Sequence, residues 1–123
     1  MSIDGVIRRG DRKPLGSPEQ VKAQLNEAFP GTQFIFVRDG GVVPPLGFSL
    51  VSLLVWLFTI RGEYPHWEGI FEGDEFAAVF TVGTRPSIKS VRVTLYGRGT
   101  PNANVYFATL FKQTGWQTKF PWF

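Results

Sequence analysis

"HWEGIFEGDEFAAVFTVG" occupies positions 66–83, and its reading decides the fold. Two apolar runs flank Gly73-Asp74, the pattern of a β-hairpin. Phe76, Ala78, Phe80 and Val82 alternate, so on a strand they share one face. A turn at Thr84–Pro86 follows, and then "SIKSVRVTLYG" (87–97) predicts a third strand. Val91, Val93 and Leu95 point one way. Ser90, Arg92, Thr94 and Tyr96 point the other. Such alternation describes an antiparallel meander with one wet face.

Upstream, "GSPEQVKAQLNEAFPG" (16–31) predicts a helix. Ser17 suits the N-cap, Pro18 the first helical position and Gln20 the capping box. Val21, Leu25, Ala28 and Phe29 fall on one face, and Pro30-Gly31 stops the helix. "TQFIFV" (32–37) then reads as a strand and Asp39-Gly40-Gly41 as a turn. Downstream, "GRGTPNANVYFATLFKQTGW" (97–116) predicts a second helix, with Thr100 as cap and Pro101 first. Ala103, Tyr106, Phe107, Leu110 and Phe111 form its apolar stripe. Gly115 ends it, and Trp116 sits where a Schellman motif folds an apolar residue back onto Phe111. The chain ends "KFPWF", an apolar load that free termini seldom carry.

Between the first strand and the hairpin lies "PPLGFSLVSLLVWLFTIRG" (44–62), with no charged residue from Phe48 to Ile60. A helix over 48–60 spans about 20 Å, short of the hydrocarbon core of about 30 Å. Pro44, Pro45 and Gly47 oppose upstream extension, and Arg61 ends the run. A core or interface helix is therefore preferred to a membrane span, with buried strands as the other reading. The expected fold is α+β: a meander of three to four strands, an N-terminal and a C-terminal helix on one face, and an apolar helical connection in the middle. Residues 1–123 are read as a single domain, with 1–15 as a basic arm holding Arg8, Arg9, Arg12 and Lys13.

Composition narrows the function classes. A length of 123 residues is enough for one domain with a core, and 43% hydrophobic with 19% charged residues argues against wholesale disorder. The chain has no cysteine, which excludes disulfides, a thiol nucleophile and cysteine metal sites. A formal charge of +3 is too mild to mark a nucleic-acid protein by itself. No secretory signal opens the chain, and a cytoplasmic location is expected.

"EGDEFAAVFTVG", "SVRVTLYGRGTP" and "LFKQTGW" together resemble a group of small uncharacterised bacterial proteins. Its members carry a Phe-rich strand ending in Gly, a strand ending in Gly-x-Gly-x-Pro, and a helix ending in Thr-Gly-Trp. The resemblance lies mainly in residues 72–116, with the Ser-Pro-Glu helix near the start. It implies an α+β domain and supplies no activity and no site.

Few residues offer chemistry. His66, Glu68 and Glu72 share a strand face, but a metal site needs three or four ligands, and His66 has no HxxxH-type partner. They are read as a surface histidine beside solvated acids, with no metal, cofactor or catalytic residue assigned. Arg98, Gly99 and Thr100 could hold an anion at the start of the C-terminal helix. That turn lacks the third glycine and the lysine of a P-loop, so a tight strand-to-helix turn accounts for its glycines. Trp56, Leu57, Trp122 and Phe123 are the candidate apolar contact surface.

The leading expectation is a small non-enzymatic binding or accessory protein, of the immunity type or another protein–protein module, acting as a homodimer or on another protein. The alternatives are a small-ligand pocket between sheet and helices, with or without weak hydrolysis, and a peripheral membrane protein using residues 46–60 with the basic arm. A nucleic-acid face built on Arg92, Tyr96 and Arg98 is set aside because no RNP-type motif is present.

Overall fold

A computed structural model of the chain describes residues 2–37 and 66–120. The class is α+β, as the sequence predicts, but the sheet is larger. Among the described residues it has six strands: β1 (Ser2–Arg9), β2 (Gln33–Val37), β3 (His66–Glu72), β4 (Ala77–Gly83), β5 (Ser90–Tyr96) and β6 (Trp116–Lys119). They run antiparallel in the order β2-β3-β4-β5-β1-β6. The two described α-helices are α1 (Pro18–Ala28) and α2 (Asn104–Thr114). The expected meander is present as β2 to β5. The expected basic arm is instead largely a strand: Ser2–Arg9 lies between β5 and β6 inside the sheet.

The local signals work through identifiable bonds. Ser17 caps α1 in a reciprocal box: Gln20 N donates to Ser17 Oγ at 3.3 Å, and Ser17 N donates to Gln20 Oε1 at 2.9 Å. Gly115 adopts φ 77 after α2 and donates its N–H to the Phe111 carbonyl. Two details of the C-terminal reading change. Thr100–Ala103 is a 3-10 turn capped by Gly99 rather than the first turn of an α-helix begun at Thr100. Trp116 opens β6 opposite Arg9 rather than ending a helix cap.

Both helices pack on one face of the sheet. There Val21, Leu25 and Phe29 meet Phe71, Phe80, Val93, Ile7, Phe107 and Leu110 in a single buried cluster. Phe29 is its hub, with the rings of Phe71, Phe80, Tyr106 and Phe107 at centroid distances of 5.3, 4.9, 5.4 and 5.1 Å. Val91, Val93 and Leu95 are buried here and Arg92 is exposed, in the predicted register. Phe111 departs from the expected apolar stripe: it is 52% exposed while Phe107 and Leu110 are buried.

The opposite face is formed by the alternate residues of every strand. Cross-strand register lays them in rows. Ile35, Glu68, Thr81, Arg92, Val6 and Lys119 make one row, and Val37 and His66 stand in the next, toward the end where β1 carries Arg8. No described helix lies on this face. Even so, Val37, His66, Glu68, Ile70, Ala77 and Val79 in its β2–β4 half are buried. The apolar stretch 44–62, with Trp56 and Leu57, lies outside the described residues, as do Trp122 and Phe123.

Candidate functional site

The second face divides into two chemically different halves. In the β2–β4 half, β3 holds His66 and Glu68 two residues apart, so their side chains emerge on the same side. His66 Nε2 meets Glu68 Oε1 at 2.7 Å, and Thr81 Oγ1 donates to the same oxygen from β4 at 3.3 Å. The sequence expectation of a surface histidine beside solvated acids is therefore corrected: His66 is 2% and Glu68 1% exposed. Period-two alternation correctly put the pair on one face. It could not say that this face would be dry, since that depends on chain distant in sequence.

Burial holds the Glu68 carboxyl above its usual range, opposed by the hydrogen bond and charge of His66, the Thr81 hydroxyl and the more distant Arg92 charge. Glu68 Oε2 is buried with no hydrogen-bond partner. A carboxylate with one satisfied and one orphaned oxygen is poorly solvated, which is the physical cause of that shift. Glu72, the third acid of the predicted group, is exposed at the end of β3. Among the described residues, no cluster of three or more His, Cys, Asp or Glu could hold a metal ion.

In the β5–β1–β6 half the face is open to solvent. Val6 is 40% exposed, with Arg92 directly across on β5 and Lys119 directly across on β6. Arg8 follows two residues along β1 on the same side. All three cations are exposed, and none forms an ion pair with a described residue. Neighbouring strands lie about 4.8 Å apart, so the backbone positions of the three residues fall within roughly 10 Å of one another. Asp4 is the acid of this half; it accepts a hydrogen bond from Thr94 Oγ1 at 2.7 Å. Tyr96 closes the far end, its hydroxyl pushed up by burial and then by the charges of Asp4 and Glu68.

The turn singled out as an anion candidate has another visible occupation. The Gly99 N–H donates to the Glu75 carbonyl at 2.8 Å, and Asn102 Nδ2 donates to the Asp74 carbonyl at 2.8 Å. Gly97 adopts φ 107, and a Cβ there would stand 2.6 Å from the Glu75 carbonyl oxygen. Gly99 and Asn102 thus tie this segment to the acidic β3–β4 turn, while Arg98 is exposed.

A groove of about 380 Å³ runs between α2 and β6, lined by Phe107, Ala108 and Phe111 from the helix and by Trp116, Gln117, Thr118 and Lys119 from the strand. Phe120, just beyond β6, is buried against Phe107 at a ring distance of 5.6 Å. Sequence reasoning missed both Arg8 and Lys119 as members of a common surface. The alternation Trp116, Thr118, Phe120 against Gln117, Lys119 was the available signal.

No helix among the described residues is long and apolar enough to cross a membrane. No protein-family model, curated protein or solved structure matches the chain.

Proposed function

We propose that this protein is a small non-enzymatic binding protein that associates with an anionic lipid surface through the basic half of its second sheet face. The observation that carries this reading is the placement of Arg8, Arg92 and Lys119 around Val6, exposed and without ion-pair partners among the described residues. Cations of this kind near an anionic leaflet contribute about 1 kcal/mol each, and the aliphatic Val6 between them suits the interfacial zone. Residues 38–65, with the uncharged run Phe48–Ile60, join Val37 to His66 at the end of the sheet where Arg8 stands. A single-stranded nucleic acid would want several stacking rings on the face. Tyr96 alone supplies one in the open half, and it is half-buried.

The test is co-sedimentation with phosphatidylcholine vesicles, with and without phosphatidylserine, at low and physiological salt. Wild type should prefer the anionic vesicles and lose much of the preference as salt screens the charges. Replacing Arg8, Arg92 and Lys119 together by Gln should weaken binding about 100-fold, the equivalent of about 3 kcal/mol, with an unchanged melting curve. Equal binding to both vesicles, no binding to either, or tighter binding to a single-stranded oligonucleotide than to the anionic vesicles would overturn the reading.

A further inference from the structure

Strand β6 is one edge of the sheet, paired with β1 on one side and with no described strand on the other. An edge that presents free backbone groups beside an apolar groove is suited to adding another strand. Two features of this edge are unaccounted for by the single chain. Thr118 Oγ1 is buried on the groove side of β6 and has no hydrogen-bond partner. Phe111 stands 52% exposed at the groove wall, and Val105 on the same helix is 70% exposed. A buried hydroxyl left without a hydrogen-bond partner is uncommon and calls for an explanation.

We infer that β6 pairs antiparallel with β6 of a second copy of this chain, across a twofold axis normal to the sheet and centred on Thr118. The occupant follows from symmetry and parity. Opposed residues in an antiparallel pair point to the same face of the sheet. A twofold axis normal to the sheet keeps each face on its own side. Thr118 stands opposite the buried Ile7 and Lys119 opposite the exposed Val6, so Trp116 and Thr118 point to the helix face and Gln117 and Lys119 to the other. The pair must therefore centre on a residue facing itself, and only Gln117 or Thr118 lets at least three of the four residues Trp116–Lys119 pair within the strand. Centred on Gln117, each Thr118 faces Trp116 and its hydroxyl stays orphaned. Centred on Thr118, the two hydroxyls stand opposite each other with Cβ atoms about 5 Å apart, and each can donate to or accept from its mate. The same register sets Lys119 against Gln117, so no like charges oppose. It also brings the second copy's α2 to the far side of the seam, where the two Phe111 side chains close the grooves from either side. The interface belongs to this face of β6 and α2 and does not depend on the lipid reading.

The chain has no cysteine, so a single introduced thiol reports self-proximity without background. Thr118→Cys should form a disulfide-linked dimer under mild oxidation, while Gln117→Cys and Val105→Cys should not. Light scattering without detergent should give wild type twice the 13.8 kDa chain mass. Thr118→Val, which keeps the shape and removes the hydroxyl, should raise the dissociation constant about tenfold. Phe111→Glu, at an exposed position, should give a folded monomer. A wild-type monomer over a wide concentration range overturns the proposal. So does a dimer that cross-links through Gln117→Cys in preference to Thr118→Cys, or one indifferent to Phe111→Glu.

Discussion

Phe29→Ala is expected to be the most damaging single truncation in the described fold. Phe29 closes α1 as its C-cap residue, is fully buried, and touches four rings drawn from β3, β4 and α2. Its N–H also closes the helix on the Leu25 carbonyl at 2.8 Å. Truncating a buried Phe costs about 3–5 kcal/mol in lost transfer energy and residual cavity. Four ring contacts, each worth about 0.5–1.5 kcal/mol beyond area, put the cost at the top of that range. The neighbouring rings come from three separate elements anchored in the sheet and in α2, so the site cannot collapse easily. A loss of about 5 kcal/mol is a large share of a typical domain stability of about 5–15 kcal/mol. Urea melts followed by tryptophan fluorescence would measure it, with Trp67 and Trp116 reporting from opposite halves of the sheet. An unchanged slope with the midpoint moved far down is the expected result. A loss below about 2 kcal/mol would refute the argument that this ring joins α1, α2 and the sheet.

Two further substitutions separate the two sheet faces. Because the folded-state Glu68 carboxyl is raised above its ordinary 4.5, its contribution to stability is complete below that value and is lost as pH rises through the raised one; Glu68→Gln should therefore stabilise the protein by about 1 kcal/mol at pH 7 and lose that advantage at pH 4, and urea melts showing a larger gain at pH 4 would contradict this. Leu95→Ala, on the helix face, should cost about 2–5 kcal/mol at any pH, and a loss below about 0.5 kcal/mol would mean that the β5 register is wrong.

What the sequence made legible was punctuation and alternation within single elements. Ser17-Pro18 with Gln20 marked the start of α1, Gly115 marked the end of α2, and the hairpin and β5 showed a clean period of two. β1 was obscured because Gly5 stands where the helix face wants an apolar side chain. The reason is tertiary: the Phe120 ring lies over Gly5, and a Cβ there would come within 2.5 Å of it. Val6, apolar on the open face, blurs the same alternation from the other side. β6 is short and follows a helix stop, so Trp116 reads equally well as part of the cap. The two missed strands bring Arg8 and Lys119 to Arg92, so the candidate surface was invisible without them. The dryness of His66 and Glu68 had no local signal either, since burial on a sheet face is set by what lies across it.

The two proposals bear on each other through geometry. One copy presents Arg8, Arg92 and Lys119 against an opposing Asp4, worth about 2–3 kcal/mol at an anionic surface. That is a preference of roughly 30- to 150-fold, too small alone for lasting attachment. A twofold axis normal to the sheet leaves the second face of both copies on the same side, with Lys119 of each chain near the seam. The two basic halves then form one surface whose contributions add, about 4–6 kcal/mol, because the second copy binds as part of the same body. An axis lying in the sheet plane would have turned the two basic faces away from each other and forfeited that sum. The helix face, with Phe111 and the groove, closes on itself on the other side. The proposed edge pairing at β6 would therefore do two things at once: satisfy Thr118 and Phe111, and raise the affinity of a weak charged patch.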